Sequence, residues 1–503
     1  MNYILLTGCT GFLGRYVMKD CLLADVPLVV LIRANKRETA QQRLEAVLGY
    51  WEQRLQRSLP RPVIVEGDVR QPRCGLSDRD ERWIGEHCDS IVHSAASMNF
   101  HASTPDGEPF HSNVAGTKNL LAVCETAGIR HFHQVSTAYI CGLRSGLILE
   151  SELDLGQTNG NDYERSKLAA EKLIRQSPFL ETTTFYRPAS IIGDSETGYT
   201  TNFHGFYSPL QVLYSMAKGL LGRGDVGRQI IDDVVKRARF MDRLNLTGDE
   251  GKNLVPVDWV AKTLTYILLR PELHGQTYHL TPRQRTTVQL VRDVFEEVLR
   301  EYAGIPEGVE LPPIEVPAVE REAIESVFRE QMTTYDSHWR DDPVFDLTNT
   351  TRAAECLPSP TVDREMLVRT SRFAVAGNFG WPRPQPVQMA FDAASRLGSL
   401  VTAGLAAPTP GTAERVGLQV TGQGGGQWSL SLGGAAPLDA RPGLENNCVM
   451  TYHLSSSTFS ALADKQVTAE AAVYSGSVVV EGEGASNRRA IDVLDRIAAV
   501  AHG

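Results

Sequence analysis

The sequence predicts an α/β fold in which a doubly wound parallel sheet of the Rossmann type, with a smaller substrate lobe, precedes an α+β domain. Three observations lead to this prediction. Short apolar runs alternate with helical periods over the first 200 residues, a glycine-rich turn follows the first run, and small and polar residues become frequent after Met389. Alternating strands and helices are typical of a parallel sheet that helices cover on both faces.

Six apolar segments have the character of strands buried in such a sheet. They are YILLTG, VPLVVLIR, RPVIVEGDV, SIVHSAA, HFHQVSTAYI and TTTFYRPASII. Beyond residue 200 the alternation is irregular, which favours a substrate lobe. We expect a cofactor-binding and catalytic domain over residues 1–280, the rest of the substrate lobe and a linker over 281–385, and a further domain over 388–503. The Pro-rich stretch FGWPRPQPVQ marks the last boundary.

The composition limits the classes of function that the chain can have. Its 503 residues, 42% of them hydrophobic, are sufficient for several packed domains. The net charge of -10 argues against a nucleic-acid partner, because binding to phosphates depends on clustered Lys and Arg. The eight cysteines have no CxxC spacing, so we expect reduced thiols rather than a zinc site or a redox pair.

The N-terminal sequence and the apolar segments bear on where the protein works. MNYILLTG has no basic region before its apolar run and no cleavage signal, and no later run approaches the length of a membrane span. We therefore expect a cytoplasmic protein. The apolar segment from Phe206 to Leu221 has two open interpretations, a helix in peripheral contact with a membrane or a buried helix.

A glycine-rich turn, TGCTGFLG, directly follows the first predicted strand. Its glycines stand three residues apart, which suits a tight strand-to-helix turn, close approach of a pyrophosphate and an anion at a helix N-terminus. Many ordinary turns also contain glycines, so the position between strand and helix is what favours a dinucleotide. The predicted cofactor contacts here are Gly8, Thr10, Gly11, Phe12, Leu13 and Gly14.

Residues after the next three predicted strands extend the predicted cofactor site. The second strand ends at Arg33, where an NAD site usually has an acidic residue for the ribose 2′-hydroxyl. Arginine suits a 2′-phosphate instead, although a surface arginine at a strand end is the alternative. Asp68 and Val69 are expected near adenine. The small side chains after the fourth strand either admit the cofactor or simply pack: Ser94, Ala95 and Ala96.

Tyr163 and Lys167 form a YxxxK pair that a helix would place on one face. An adjacent ammonium favours a phenolate, so we expect Lys167 to lower the pKa of Tyr163 toward the range of an acid–base catalyst. Such pairs also occur by chance on solvated helices, and the context therefore decides. Ser136 and Thr137 end the fifth predicted strand, where one hydroxyl can bind a substrate oxygen or, alternatively, cap a helix.

Asn113 and the nearby histidines are not expected to take part directly in catalysis or in metal binding. Asn113, in HSNVAGTKNLL, is either a helix cap or part of the site, and we favour a helix-positioning role near the cofactor. No metal site is predicted, because no metal-ligand spacing is present among His101, His111, His131 and His133.

Several motifs occur together and in order, namely TGCTGFLG, Arg33, GDV, HSAA, NVAGT, VSTAY, YERSK and YRPAS. Over about residues 1–280 they resemble the extended short-chain dehydrogenases. The segments LIRA, GDVRQPRCGLS, HSAASMNF and VPVDWVA resemble the thioester-reductase and fatty acyl-CoA reductase branch, with its male-sterility-like NAD-binding domain. Cys9 departs from the pattern, since a smaller residue is commoner there.

This resemblance implies NADPH as cofactor and a role for each matching residue. Thr137 and Tyr163 would bind the substrate carbonyl oxygen, Tyr163 would donate a proton, and Lys167 would hold the ribose while tuning Tyr163. Pro188 and Ala189 of YRPAS join the expected cofactor contacts, together with Tyr163 and Lys167. No adenylation domain precedes the reductase-like part, so the substrate is expected to arrive already activated.

The last hundred residues resemble a second family. GLQVTGQGGGQWSLSL and TYHLSSSTFSALADKQVTAEAAVYSGSVVVEGE are similar to the sterol-carrier-protein-2 fold, which implies an apolar, lipid-binding cavity. A degenerate packing module without a cavity is the alternative.

The motifs favour NADPH-dependent reduction of a long-chain acyl thioester, carried by CoA or an acyl-carrier protein, to an aldehyde and in some cases an alcohol. One alternative is oxidation of a 3-hydroxysteroid or other lipid alcohol, because the same Thr-Tyr-Lys group works in either direction. Another is a non-catalytic lipid-binding or transfer protein.

Overall fold

The computed structural model describes residues 2–236, 246–312, 314, 326, 328, 330–389, 391–406, 414–433, 437–482 and 487–501. The strands are β1 (Tyr3–Thr7), β2 (Leu28–Ile32), β3 (Val63–Glu66), β4 (Cys88–His93), β5 (His131–Val135), β6 (Leu147–Ile148), β7 (Thr182–Pro188), β8 (Ser190–Ile192), β9 (Gly251–Lys252), β10 (Leu254–Pro256), β11 (Thr277–Leu280), β12 (Thr286–Thr287), β13 (Val344–Phe345), β14 (Glu414–Thr421), β15 (Gly426–Leu432), β16 (Pro437–Pro442), β17 (Met450–Ser455) and β18 (Val478–Glu481).

The α-helices are α1 (Phe12–Leu23), α2 (Ala40–Leu55), α3 (Asp78–His87), α4 (Gly116–Ala127), α5 (Asp162–Arg175), α6 (Tyr207–Leu221), α7 (Gly224–Lys236), α8 (Val257–Leu268), α9 (Val288–Tyr302), α10 (Thr348–Ala353), α11 (Arg364–Ala376), α12 (Ala393–Ala406), α13 (Ser456–Ala463), α14 (Ala469–Tyr474) and α15 (Asn487–Ala501). Shorter helical turns lie at His111–Ala115, Ala138–Cys141 and Thr333–His338.

A seven-stranded sheet forms the centre of the first part of the chain, in the order β11-β7-β5-β4-β1-β2-β3. Each neighbouring pair is parallel. All six predicted segments contribute a strand to this sheet, which confirms the doubly wound parallel fold. The end of the sixth segment forms β8, which pairs with β10 in a separate sheet. The order reverses between β1 and β4, and in open sheets of this kind the ligand crevice lies at the carboxyl ends of the strands where the order reverses.

The substrate lobe packs helices α6, α9 and α11 around one apolar core. The apolar face of α6 belongs to this core, since Tyr207, Leu210 and Tyr214 are buried there. The buried interpretation of this helix therefore fits the structure, and peripheral contact with a membrane stays a prediction. Within the described residues, no helix combines the length and apolarity that crossing a bilayer requires.

The C-terminal region folds as the predicted α+β domain, with a five-stranded sheet in the order β16-β15-β14-β17-β18. β14 and β17 are parallel, and the other pairs are antiparallel. Its core combines inward-facing residues of the sheet with helices α12 to α15. This architecture leaves the likeness to sterol-carrier-protein-2 as a prediction.

The C-terminal domain contacts the large sheet at its amino-terminal edge. The Tyr3 hydroxyl, at the start of β1, donates to Gln427 Oε1 at 3.0 Å and accepts from the Leu444 amide at 2.7 Å. Trp83 Nε1 donates to the Pro442 carbonyl at 2.8 Å. The catalytic motifs follow the carboxyl ends of these strands. The C-terminal domain and the catalytic motifs therefore lie at opposite ends of the large sheet.

Candidate functional site

The glycine-rich turn joins β1 to α1 with the backbone geometry that the fingerprint requires. Gly8 has a φ of +76°, and a Cβ there would lie 2.6 Å from the Ala95 amide nitrogen. A Cβ on Gly14 would lie 2.2 Å from the Gly8 carbonyl oxygen. Helix α1 begins after Gly11 without a side-chain cap, so its first amides are available to an anion. Cys9 is buried in the core beneath the turn, where burial raises its pKa to about 12.

A cleft of about 590 Å³ runs from this turn to the YxxxK helix. Thr137 follows β5, while Tyr163 and Lys167 lie on α5, whose N-terminus Asn161 caps through the Glu164 amide. The predicted site residues that line this cleft are Gly8, Thr10, Gly11, Phe12, Leu13, Gly14, Ser94, Ala96, Thr137, Tyr163, Lys167, Pro188 and Ala189. Folding therefore brings the predicted catalytic group and the predicted phosphate-binding turn into one cleft.

Burial controls the titration of the catalytic pair. The Lys167 ammonium donates to the Val135 carbonyl at 2.6 Å, and burial lowers its pKa to about 8, with Glu171 acting in the opposite direction. The pKa of Tyr163 is raised by burial and further by Glu164. The expected lowering of the Tyr163 pKa by Lys167 is thus not seen in this arrangement, because the loss of water around the phenol dominates.

Two hydroxyls end β5 beside Tyr163 and differ in their hydrogen bonds. Thr137 Oγ1 accepts from the Tyr139 amide at 3.3 Å and lies 3.5 Å from the Pro188 carbonyl. Ser136 Oγ is buried, lines the same cleft, and makes no hydrogen bond within the described part of the chain. A buried hydroxyl without a partner is costly to maintain, so Ser136 is as well placed as Thr137 to receive a substrate oxygen.

Arg33 and Arg43 lie together at the end of β2. Arg33 is half exposed and approaches Asp68 at 3.4 Å. Arg43, on α2, donates to Thr10 Oγ1 at 2.8 Å and also to the Arg33 carbonyl. Burial, together with the repulsion between the two guanidinium groups, lowers the pKa of Arg43. Two adjacent cations beside the phosphate-binding turn form a suitable place for a further phosphate.

The remaining predicted contacts have structural partners of their own. Asp68 forms a bidentate pair with Arg70, and its pKa is lowered to about 2 because these charged hydrogen bonds outweigh burial. The Val69 carbonyl accepts from Asn119 Nδ2 at 2.9 Å, and Ala95 packs on Gly8. Asp68, Val69 and Ala95 do not line the cleft.

Asn113 connects the loop after β4 to the catalytic helix. Its Nδ2 donates to the Ser97 carbonyl and to Ser166 Oγ, both at 2.9 Å, and its Oδ1 accepts from the Ser97 amide at 2.8 Å. Ser166 lies between Tyr163 and Lys167 in sequence, so these bonds fix the catalytic helix relative to β4. The geometry agrees with the helix-positioning role.

The cleft also includes polar residues that the sequence did not single out, among them Arg15, Tyr139, Glu164 and His338. Arg15 donates to the Thr10 carbonyl at 3.2 Å, and Glu164 accepts from the Gly160 amide at 2.7 Å. Burial raises the pKa of Glu164 to about 7, against the influence of the Gly160 amide and Arg340. Spacing alone could have suggested Glu164, which follows Tyr163 directly, whereas nothing local marks His338.

The model of the male sterility protein family matches residues 6–264, slightly more than half of the chain. This chain belongs to the male sterility protein family. The match includes the glycine-rich turn and the YxxxK helix, and it agrees with the resemblance drawn from the motifs. Members of this family have an NAD-binding domain, which fits the cleft between the turn and α5.

Relatives of this male sterility family protein include parts of much larger enzymes. Fatty acyl-CoA reductase 1 of Pongo abelii is 28% identical over 271 residues, which are 46% of this chain and 51% of that protein. The isonitrile lipopeptide synthase of Mycobacterium tuberculosis is 32% identical over 244 residues, or 44% of this chain and 10% of the synthase. The nonribosomal peptide synthetase asaC of Aspergillus flavus is 26% identical over 318 residues, or 59% of this chain and 28% of the synthetase. The chain therefore spans only a part of each of these relatives.

Among solved structures, the terminal R domain from the myxalamid PKS-NRPS biosynthetic pathway is similar, with a TM-score of 0.55 and 25% identity. The similarity covers 75% of this chain and 92% of that domain.

Proposed function

We propose that this protein reduces an acyl thioester to an aldehyde with NADPH. The observation that carries the proposal is the convergence of Thr137, Tyr163 and Lys167 with the glycine-rich turn in one cleft. Membership of the male sterility family and similarity to a fatty acyl-CoA reductase and to an R domain support the thioester as substrate class.

The chain's own residues supply the binding and the proton. The absence of side chains at Gly8 and Gly14 lets the turn pack tightly against the backbone after β4 and against itself. The first amides of α1, which have no side-chain cap, would hold a pyrophosphate. The nicotinamide, when bound, supplies the hydride that adds to the thioester carbonyl carbon. Tyr163 then donates its proton to the developing oxyanion, which Thr137 or Ser136 also stabilises by a hydrogen bond. As the hemithioacetal collapses, its hydroxyl proton returns to Tyr163, the carbonyl re-forms and the C–S bond breaks, and the departing thiolate takes a proton from water. One hydride and one proton are consumed, and the products are the aldehyde and the free thiol.

The raised pKa of Tyr163 fits the role of a proton donor in this direction of reaction. A buried phenol holds its proton until negative charge develops on the substrate oxygen, where the transfer becomes favourable. Lys167, held by the Val135 carbonyl, lies at the cleft wall where a ribose hydroxyl can accept its hydrogen bond.

We propose NADPH rather than NADH because of Arg33 and Arg43. The two cations adjoin the turn, and Arg43 already touches Thr10. A 2′-phosphate between them would relieve their mutual repulsion and form charge-assisted hydrogen bonds.

For the C-terminal domain, we propose a sterol-carrier-like fold that binds lipid chains in its apolar interior. The five-stranded mixed sheet with helices packed on one core supports the fold, and the lipid-binding part of the proposal rests on the resemblance of the sequence. Burial of each methylene would contribute about 0.8 kcal/mol to such binding.

The test is NADPH consumption at 340 nm by the purified protein with acyl-CoA, the free fatty acid and a 3-ketosteroid in parallel, with products identified by mass spectrometry. Consumption with the thioester alone, and the matching aldehyde or alcohol, would support the proposal. Activity on the ketosteroid alone would favour a lipid alcohol dehydrogenase, and inactivity with all three would favour a lipid-binding protein.

A further inference from the structure

A second, mostly apolar pocket opens beside the catalytic cleft, in the substrate lobe. Its wall includes Phe206, Pro209, Leu254, Val291, Phe295 and Trp339. The volume of this pocket, as lined by the described residues, is about 70 Å³, which leaves room for roughly five to seven water-sized groups. Its lining is mainly carbon, so it favours an alkyl chain over a polar group.

His338 belongs to the walls of both cavities. Its ring lies against Phe100, with centroids 5.1 Å apart, and stacks on Tyr139 at 5.8 Å. Its Nδ1 lies 3.0 Å from Ser337 Oγ. The imidazole therefore stands between the cleft that holds Tyr163 and the apolar pocket, in a fixed orientation.

The segment that carries His338 is anchored to both catalytic elements. Tyr139, two residues after Thr137, donates to Asp342 at 2.8 Å. Asn161, two residues before Tyr163, contacts Ser337 at 3.4 Å.

A partly buried lysine reinforces this anchoring from the substrate lobe. Lys252 donates to the carbonyls of His338 at 2.8 Å and Arg340 at 3.1 Å, and it also pairs with Asp342. Arg340 in turn donates to the Gly142 and Leu143 carbonyls at 2.8 and 2.9 Å. These contacts hold the position of His338 relative to the catalytic tyrosine, as a specificity element requires.

The chemical state of His338 suits a wall that an alkyl chain passes. Burial lowers its pKa to about 4, and the facing charges of Lys252, Asp342 and Arg340 add smaller effects of both signs. The ring is therefore neutral at physiological pH, and an acyl chain can contact it without desolvating a cation.

We propose that the apolar pocket receives the acyl chain of the thioester and that the ring of His338, which fills space where the pocket adjoins the cleft, limits the length of chain that fits. The proposal rests on the function proposed above. In this geometry the carbonyl end stays beside Tyr163, and the chain passes His338 toward Phe295. The small volume of the described pocket favours short and medium chains, in contrast to the long chain expected from the sequence.

The experiment measures kcat/KM for CoA thioesters from butanoyl to hexadecanoyl with the wild type, His338→Ala and His338→Phe. Removing the ring adds its space to the small pocket, so His338→Ala is expected to raise the ratio of hexadecanoyl to hexanoyl turnover by about tenfold. His338→Phe keeps a ring of similar size and should preserve the wild-type ratio. His453→Ala, in the C-terminal domain, controls for loss of a histidine elsewhere.

Binding of the same thioesters to Tyr163→Phe and Tyr163→Phe/His338→Ala proteins separates this inference from the proposed function. One outcome is that the wild type turns over no thioester while the double variant binds long chains better, relative to short ones, than Tyr163→Phe does. In that case the reductase proposal fails and the role of His338 stands. An unchanged chain-length profile in both turnover and binding would overturn the role of His338.

Discussion

The large sheet and the C-terminal sheet place their polar side chains differently. At the carboxyl edge of the large sheet, Thr137, Tyr163 and Lys167 meet at an open cleft. In the C-terminal domain, the buried Tyr452 hydroxyl donates to the Ala490 carbonyl at 2.9 Å, and the surrounding core is apolar. Tyr163 thus lines a cleft large enough for a ligand, whereas the hydroxyl of Tyr452 already forms a structural hydrogen bond.

This difference shows that burial alone does not mark a reactive tyrosine. Both phenols have a raised pKa because burial disfavours the phenolate. What distinguishes Tyr163 is the cleft beside it, the lysine one helical turn away and the phosphate-binding turn opposite. The geometry therefore favours catalysis in the first region and a structural role for the buried tyrosine in the second.

The largest expected effect on activity comes from removing the tyrosine hydroxyl in each of the two regions and comparing the results. Tyr163→Phe deletes the proposed proton donor and is expected to lower kcat/KM for the thioester by about 10²- to 10⁴-fold. Tyr452→Phe loses the hydrogen bonds to Ala490 and Met450, both within the C-terminal domain, and should leave turnover unchanged while lowering the melting temperature. Steady-state kinetics and thermal unfolding of both variants measure the difference. Comparable activity losses in the two variants would remove the distinction between the regions.

The next effect in size concerns the two cations beside the turn. Arg33→Ala and Arg43→Ala each remove a charged contact to the proposed 2′-phosphate, so the Kd of NADPH is expected to rise about 10- to 100-fold. The Kd of NADH should change much less, because NADH has no group there. Equal weakening of both nucleotides, measured by fluorescence titration, would mean that these arginines do not select the phosphate.

Ser136 and Thr137 offer a smaller contrast within the site. Loss of the hydroxyl that binds the substrate oxygen is expected to lower kcat about tenfold or more. Thr137 already accepts from Tyr139, whereas Ser136 Oγ makes no such bond in the described chain. Comparing Ser136→Ala with Thr137→Val identifies the residue, and a loss confined to Ser136→Ala would correct the role that the family resemblance assigns to Thr137.

The titration of Lys167 gives the weakest of these effects. Its pKa is lowered to about 8, so the ammonium is present below that pH and is lost as the pH rises through it. Activity that requires the cation should fall about fourfold between about pH 7 and 8.5. Lys167→Arg, whose guanidinium stays protonated, should lose this alkaline decline. The same midpoint in both proteins would assign the decline to another group.

The strands and the motifs could be predicted from the sequence because their signals are local. Strands β1 and β2 are apolar runs, since a parallel sheet is buried on both faces. The YxxxK spacing likewise fixes one helix face. Arg43 could not be placed, because its contact with Thr10 depends on how α2 packs after the turn.

The position of His338 was even less predictable from the sequence than that of Arg43. His338 lies 175 residues after Tyr163 in the chain, and only the packing of the substrate lobe brings its ring to the cleft. The pKa of Tyr163 was also beyond sequence reasoning. Spacing indicated a nearby ammonium, but it did not indicate the loss of water that raises the pKa.

The proposed reaction passes hydride from the nicotinamide to a thioester carbonyl beside Tyr163. Its decisive measurement uses NADPH carrying deuterium at the transferred position, with an acyl-CoA and mass spectrometry of the aldehyde. We expect one deuterium on the aldehyde carbon with the wild type and a severe loss of labelled product with Tyr163→Phe. An aldehyde without deuterium, or equal labelled product from the variant, would contradict the proposed reaction.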